Sequence, residues 1–182
     1  MVELREKIAA ERGRLKQVRQ ALSVAVQQGA QGAESYVPFY LAVAEYIDAA
    51  MDRLHIQDIR MGDMLREKAD LSAPDAQQAM AELDQRLAGN QDHLQRFLAA
   101  KKELAANGVD AIDDFEAVSR AYTDYITSNM GHHSGSTDLA REHFSEDDWT
   151  YMAKISTEEE QREVRLFEQV FNSVPEGLEL QT

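Results

Sequence analysis

Apolar residues in the first thirty positions recur with the spacing of one helix face, which predicts an amphipathic helix. One position on this face, Glu11, is an acid, and burying a carboxylate without a partner costs free energy. A frayed helix end or a partner arginine is the common explanation, and a ligand role for Glu11 is the alternative. The segment QQGAQGAES, with two glycines, ends the helix. The apolar positions are Leu4, Ile8, Leu15, Val18, Leu22 and Ala25.

The helical period returns in a second helix, predicted to run from about Glu34 to about Asp70. Pro38 lies in its first turn, where a missing N–H is harmless. A neighbouring stripe carries three acids and a histidine, and we interpret those acids as a solvated face beside the core. The buried stripe comprises Phe39, Val43, Tyr46, Ala50 and Leu54, and the polar one comprises Glu45, Asp48, Asp52 and His55.

Two further helices follow, each with its own start signal. Ser72 and Asp75 form a capping-box pattern that opens the third helix, and Asn107 with Gly108 ends it. The fourth helix is predicted to open at Asp110, whose carboxylate can cap free N–H groups. The inward positions are Met80, Leu83, Leu87, Leu94 and Leu98 in the third helix and Phe115, Val118, Tyr122 and Ile126 in the fourth.

The C-terminal part adds shorter helices. Ser145 and Asp148 form another capping box, and a final amphipathic helix turns Val164, Phe167 and Val170 inward. No segment alternates between apolar and polar residues over four or more positions, so we assign no strand. Four main helices joined by short loops predict an all-α antiparallel four-helix bundle with an additional N-terminal or C-terminal helix. The predicted domain spans residues 1–174, and 175–182 is a short tail.

Composition narrows the classes of function. The absence of cysteine excludes disulfides, thiolate catalysis, iron–sulfur clusters and cysteine zinc sites. Thirty-three acidic and 19 basic side chains give a net charge of −14, so we expect no nucleic-acid partner. No apolar run reaches the length of a signal peptide or of a membrane span, so we expect a cytoplasmic protein without a membrane partner.

The histidines are the candidates for chemistry. His55, His93 and His133 fall on three different predicted helices at core-edge positions, and His132 sits about 100° from His133. Each taken alone is an ordinary hydrogen-bonded histidine at a helix interface. Imidazoles and carboxylates that project inward from facing helices are, however, the way in which helical bundles build metal sites. Such ligands suit iron, manganese or zinc.

The stretch NMGHHSGSTD raises a conformational question, because each glycine costs a helix interior about 1 kcal/mol relative to alanine. On a regular helix, His133 and Asp138 would diverge by about 140°. One interpretation is that Gly135 loosens the backbone and lets both side chains point to one ion. The other is that Gly131 and Gly135 simply end the helix and leave the histidines in a polar loop.

The segment YITSNMGHHSGSTDLAREHFSEDDW resembles the last helix and following turn of hemerythrin-like, or HHE cation-binding, domains. The resemblance spans about residues 35–155 and leaves the first helix as an addition or a shifted element. It implies a four-helix bundle that holds a non-haem di-iron centre, with His133 and Asp138 as the His-x4-Asp ligand pair of that family. Binding or sensing of oxygen-type ligands would follow.

The sequence also departs from that family. Ile59 stands where a His-x3-Glu pair starting at His55 would need a glutamate, and Phe97 stands where a His-x3-His pair starting at His93 would need a histidine. At least two expected ligands are therefore missing. Either one metal binds with substitute acids, or the site has decayed. The acids that could substitute are Asp58, Asp52 and Glu45.

Two hypotheses of function follow. The first is a hemerythrin-like metal-binding bundle with iron as cofactor, as a di-iron centre or with manganese or zinc instead. The second is a metal-free helical interaction module with a decayed site, in which the amphipathic first helix forms a homodimer with a second copy. A hydrolase is the weakest alternative, because no His-x3-His pair of the DinB type is present and the Ser and Thr residues near His132 lack a base. The predicted metal ligands are His55, His93, His132, His133 and Asp138.

Overall fold

The computed structural model of the chain describes residues 2–129 and 134–180, and these ranges contain helices and turns but no strand. The predicted all-helical class is therefore confirmed. The long helices are α1 (Val2–Gln28), α2 (Tyr36–Lys68), α3 (Pro74–Asn107) and α4 (Ile112–Asn129). The shorter helices are α5 (Ser134–His143), α6 (Glu146–Met152) and α7 (Thr157–Asn172).

The long helices pack on their neighbours in chain order. Helix α1 contacts α2, α2 contacts α3 and α3 contacts α4, and α1 also contacts α4. The shorter helices cover the outside: α5 packs against α3 and α2, α6 against α2, and α7 against α2 and α1. Helix α2 therefore contacts most of the other elements, which explains its many buried positions.

The main core is rich in aromatic side chains. Six fully buried rings from α2, α3 and α4 fill it, and the predicted stripe of α1 closes it from one side. A second, smaller cluster with several methionines lies between the C-terminal part of α2 and the N-terminal part of α3, where α5 and α6 cover it. The six rings are Phe39, Tyr40, Tyr46, Phe97, Phe115 and Tyr122, and the confirmed α1 residues are Leu15, Val18, Leu22 and Ala25.

The start of α3 differs from the prediction. The helix begins at Pro74, and no side chain caps it, so the predicted capping box of Ser72 and Asp75 is wrong. The backbone N–H of Ser72 instead donates to the carboxylate of Asp70 at 2.9 Å. Proline fixes φ near the helical value and needs no partner for an N–H, so Pro74 sets the first turn without a serine cap.

The start of α4 also moves. Asp110 lies in a 3-10 turn, Gly108–Ala111, and the α-helix begins only at Ile112. Gly108 adopts a positive φ of 58°, a conformation that glycine tolerates, and this confirms the predicted end of α3. The tight turn places Ala111 and Ile112 in the core, and this burial decides the start of the helix.

The capping box predicted for α6 is confirmed. The backbone N–H of Asp148 donates to Ser145 Oγ at 3.3 Å, and that of Ser145 donates to Asp148 Oδ2 at 2.9 Å. The same reciprocal arrangement joins Ser156 and Glu159 at the start of α7. Both helices therefore begin where their sequences place the serine.

A carboxylate on α4 fixes the connection between α1 and α2. Glu116 Oε1 accepts hydrogen bonds from the Ala30 backbone at 2.7 Å and from the Tyr40 hydroxyl at 2.6 Å. Burial, followed by this hydrogen bond, raises the pKa of Tyr40 well above its usual value. Beyond α7, Pro175 and Leu178 are buried, so the first residues of the predicted tail pack on the core.

Candidate functional site

The imidazole of His55 lies half-buried on α2, where it faces α3. Its Nε2 is 3.0 Å from the side-chain amide nitrogen of Gln91. An amide nitrogen only donates hydrogen bonds, so the ring nitrogen of His55 acts as the acceptor in this contact. This contact occupies one of the two ring nitrogens of His55 through which a histidine can bind a metal ion.

The imidazole of His93 lies on α3 and faces α4. It stacks on the ring of Tyr125, with the two ring centroids 3.9 Å apart and the planes 16° from parallel. One turn earlier on α3, Gly89 makes room for Tyr125, because a Cβ at this position would collide with the phenol oxygen. The geometry explains both the histidine and the glycine as parts of the contact between α3 and α4.

The contacts of His55 and His93 lie on different sides of α3. Gln91, the partner of His55, precedes His93 by two positions on α3, and positions two apart on an α-helix point about 200° apart. The contact with α2 and the contact with α4 therefore lie on opposite flanks of the same helix. The structure does not bring these two predicted ligands to a common point.

Of the three remaining predicted ligands, the structure describes only Asp138. Asp138 is on the exposed face of α5, and its carboxylate accepts a hydrogen bond from Arg141 at 2.7 Å. His132 and His133, like Gly131, lie outside the described residues, so their part of the predicted site stays a prediction.

Gly135 does not end a helix, because it lies near the start of α5, so that interpretation of this residue is wrong. The other interpretation, in which Gly135 lets His133 and Asp138 converge, stays a prediction because His133 lies outside the described residues. A Cβ here would lie 3.2 Å from the Cβ of Ala79, tighter than an ordinary contact. The glycine therefore allows α5 to approach α3 closely, which periodicity along a single helix cannot reveal.

The acids considered as substitute ligands have other partners or lie in solvent. Asp58 pairs with Arg86 at 3.2 Å across the interface of α2 and α3, and the Arg86 side chain is only 9% exposed. Glu45 lies 3.5 Å from Lys101, and Asp52 is exposed. Across residues 2–129 and 134–180, no three His, Asp or Glu side chains are placed to hold a metal ion. These ranges do not supply the donors that a di-iron centre needs.

The charged site that the structure does show is a group we call the Arg53 cluster: Glu11 of α1, Arg53 and Gln57 of α2, and Glu163 of α7. Arg53 donates through Nε to Glu163 Oε1 at 2.6 Å and through Nη2 to Glu163 Oε2 at 3.2 Å. Arg53 Nη1 lies 3.1 Å from Glu11 Oε2. All four residues are buried, so a single guanidinium joins three helices.

One member of the Arg53 cluster was predictable from the sequence. The acid on the apolar stripe of α1, Glu11, is buried as predicted, and its partner is an arginine. Arg53 itself was missed, as was Glu163, which precedes the predicted inward residue Val164. Arg53 lies seven residues after the buried Tyr46, a two-turn spacing that places both on one face and could have indicated its burial.

The Arg53 cluster carries more negative than positive charge, because the two carboxylates of Glu11 and Glu163 share one guanidinium. Burial raises the pKa of Glu11 above its ordinary value; Arg53 opposes this shift, and Glu163 adds to it. The second oxygen of Glu11 is buried without a hydrogen-bond partner among the described residues. Burial and the nearby charge of Glu163 also raise the pKa of Tyr46 to about 12. The surplus negative charge makes Glu11 the least favourable member.

Replacing Glu11 with glutamine is expected to stabilise the protein at neutral pH. Since burial raises the pKa of Glu11 from 4.5, its contribution to stability is full only below that value and is lost as pH rises through the folded-state pKa. Glu11→Gln should therefore raise the free energy of unfolding at pH 7 by about 1 kcal/mol and change it little at pH 4. Urea unfolding at both pH values measures the difference.

The matched control for that substitution is Glu6→Gln, on the exposed face of the same helix, which should leave stability unchanged at both pH values. A loss of stability of about 1 kcal/mol in Glu11→Gln at pH 7 would contradict the prediction. It would show that the bond to Arg53 outweighs the burial of the charge.

Comparisons with known proteins identified no similar protein. No family model, no curated protein and no solved structure matches the chain. In the part of the chain that the structure describes, no helix combines the length and the apolar character needed to cross a membrane. The residues that the structure describes form helices and turns without a strand, and their two buried carboxylates, Glu11 and Glu163, both pair with Arg53.

Proposed function

We propose that the protein is a metal-independent helical interaction module. The observation that carries this proposal is the pairing of its interior acids with arginine. Glu11, for which a ligand role was the alternative interpretation, faces the guanidinium of Arg53, and Asp58, one of the three possible substitute ligands, faces that of Arg86. A guanidinium supplies permanent positive charge and fixed donors, so these carboxylates have a counter-ion without a metal.

The packing supports a finer description of the fold. Helix α1 contacts α2, α2 contacts α3, α3 contacts α4, and α4 returns to α1, which is the neighbour relation of an up-and-down four-helix bundle. We propose that α1–α4 form this bundle and that α5–α7 are additions on its outside. In this arrangement α1 is an integral member, since its apolar stripe is buried within the chain.

The exposed apolar side chains support the role as an interaction module. Exposed apolar side chains gathered at one place on a folded protein mark interaction sites more often than scattered ones do. Ile56 and Ile59, three positions apart on α2, are exposed neighbours on the helix surface, and the exposed ring of Tyr151 on α6 lies under the guanidinium of Arg60, next in sequence to Ile59. The homodimer predicted through α1 would have to use the outer face of that helix, because Leu15, Val18 and Leu22 of its apolar stripe are buried.

The second candidate function is binding of a metal ion, as the resemblance to hemerythrin-like domains implies. One observation favours it: the half-buried imidazole of His55 has a neutral amide, Gln91, as its partner, and an amide is easily displaced from a ring nitrogen. Under this hypothesis, His132 and His133 would supply further ligands for iron, manganese or zinc. Side-chain nitrogens must come within about 2 Å of one ion for this.

Metal analysis of protein purified without an affinity tag distinguishes the two functions. The proposed module should hold less than about 0.2 equivalents of iron, manganese or zinc after reconstitution, and its melting temperature should not change with chelator. A site filled at about 1,000 times its Kd would stabilise the fold by about 4 kcal/mol, several degrees in melting temperature.

Two variants make the metal experiment specific. His55→Ala and His133→Ala should leave the melting temperature unaffected by added metal, as in the parent protein. Binding of about one equivalent that His133→Ala abolishes would overturn the proposed function and establish the metal-binding candidate. His143→Ala, an exposed histidine at the end of α5, is the control for adventitious binding.

A further inference from the structure

The exposed apolar residues of this chain are not evenly distributed. Among the described residues, four large apolar side chains are more than a third exposed: Ile56 at 38%, Ile59 at 41%, Val109 at 40% and Tyr151 at 58%. Three of these four belong to α2 and α6, which pack on each other. Only Val109, in the turn before α4, lies elsewhere.

Arg60 connects Ile56 with Tyr151, and Ile59 neighbours Ile56 on the surface of α2 at a spacing of three residues. The Arg60 guanidinium lies over the ring of Tyr151, 5.7 Å from the centroid, and donates to the backbone oxygen of Lys154 at 2.6 Å. Ile56, one turn before Arg60 on α2, lines the same cleft as Arg60 and Lys154. We call this surface the α2 face and define it by Asp52, Ile56, Ile59, Arg60 and Tyr151.

The two charged residues of the α2 face, Asp52 and Arg60, lie at equal distances on either side of Ile56 along the helix. Asp52 precedes Ile56 by four residues, and Arg60 follows it by four. Each charge therefore lies about 6 Å from Ile56 along the helix axis, on the same side of α2. The two charges are about 12 Å apart along the helix, too far to pair with each other in one chain.

We propose that the α2 face is the interface of a homodimer, with a two-fold axis passing by Ile56. Two antiparallel copies of α2 related by this axis would bring Asp52 of each chain to Arg60 of the other. Ile56 would meet its own copy, and Ile59 and Tyr151 would flank the centre. Self-complementary patches of this kind are what a two-fold interface requires.

The order of charges favours a second copy over another partner. A chain of net charge −14 repels its own kind on most of its surface, so association needs a place where opposite charges face each other. Along α2 the order is acid, apolar residue, base: Asp52, Ile56 and Arg60. A second copy of α2 that runs antiparallel has the opposite order, so it places a base opposite each acid. The inference rests on the proposed interaction function and names its partner.

Sedimentation equilibrium of charge-reversed variants tests the proposal. The parent protein should associate as a dimer between roughly 10 and 500 µM, the range of small interfaces. Asp52→Arg and Arg60→Asp should each weaken association by about tenfold, because like charges then meet across the axis. An equimolar mixture of the two variants should recover the dimer, since the introduced arginine of one meets the introduced aspartate of the other.

Two apolar variants complete the experiment. Ile56→Asp should abolish association, and Val109→Asp, equally exposed on the parent surface, should not change it. Circular dichroism of each variant confirms that the helices are retained, and Ile56→Asp leaves the contacts of Arg60 in place. A parent protein that is monomeric at 500 µM would overturn the inference, as would a dimer that Ile56→Asp and both charge reversals leave intact.

The metal analysis described above separates failure of this inference from failure of the proposed function. A monomeric protein without bound metal overturns the homodimer alone and leaves the interaction module with a different partner. A protein that binds metal through His133 overturns the module, whatever its association state.

Discussion

Replacing Arg53 with methionine is expected to lower the free energy of unfolding at pH 7 by about 3–5 kcal/mol, because it removes one partner of a buried ion pair. Arg53 is the common partner of Glu11 and Glu163, and all three side chains are buried. Methionine keeps the length of the side chain but removes the guanidinium that pairs with both carboxylates. Burying an unpaired charge is far more costly than losing an exposed pair.

The pH dependence of Arg53→Met identifies the cause. Burial raises the pKa of Glu11 and Arg53 opposes this shift, so without the guanidinium the pKa of Glu11 should rise further. The variant should therefore regain stability as pH falls through that value. Urea unfolding at pH 7 and pH 5 measures this recovery. The triple variant that also carries Glu11→Gln and Glu163→Gln should recover most of the lost stability at pH 7, because no buried charge remains.

An exposed arginine provides the control for the loss of Arg53. Arg96 pairs with Asp92 one turn earlier on α3, and its side chain is 68% exposed. Arg96→Met should change stability by less than about 0.5 kcal/mol. If Arg53→Met cost no more than this control, the Arg53 cluster would not hold α1 and α7 to α2, and the proposed function would lose its main support.

Truncating Phe97 to alanine is expected to lower the free energy of unfolding by about 3–5 kcal/mol. Phe97 is fully buried between two other rings: it stacks on Tyr122 with centroids 5.0 Å apart and contacts Phe115 at 5.5 Å. Removing the ring leaves a cavity that these rigid neighbours cannot fill. Chemical unfolding at fixed pH measures the loss.

Two variants connect Phe97 with the hemerythrin-like resemblance. Phe97→Leu, which retains most of the volume, should cost clearly less than Phe97→Ala. Phe97→His restores the His-x3-His spacing of that family and should also be destabilising, because it places a polar ring among aromatic ones. If Phe97→His instead bound a metal ion and became more stable with it, position 97 would be a lost ligand position rather than a part of the core.

The positions of the helices were largely predictable, because their signals are local. The period of apolar residues predicted α1, α2, α3, α4 and α7, and serine–acid pairs marked the start of α6. The errors occurred where a start depends on other contacts. Pro74 begins α3 without a side-chain cap, and burial of Ala111 and Ile112 sets the start of α4.

The candidate site was predictable only in part. Periodicity placed Glu11 on a buried stripe and His55 and His93 at the edge of the core, and all three are buried or half-buried. It could not show that the two histidines face different helices. A spacing gives the angle of a side chain around its own axis, while the neighbour that meets it is set by packing between distant segments.

The sequence by itself determined the all-helical class and the approximate positions of the long helices, the absence of cysteine chemistry, the net negative charge and the presence of an acid on the apolar face of the first helix. The tertiary structure decided which charged residues form ion pairs. Arg53 pairs with Glu163, 110 residues away in the sequence, and Arg86 pairs with Asp58. It also decided that Gly135 serves the approach of α5 to α3. Helix formation depends on neighbours within one or two turns, whereas these pairings exist only once separate helices have packed.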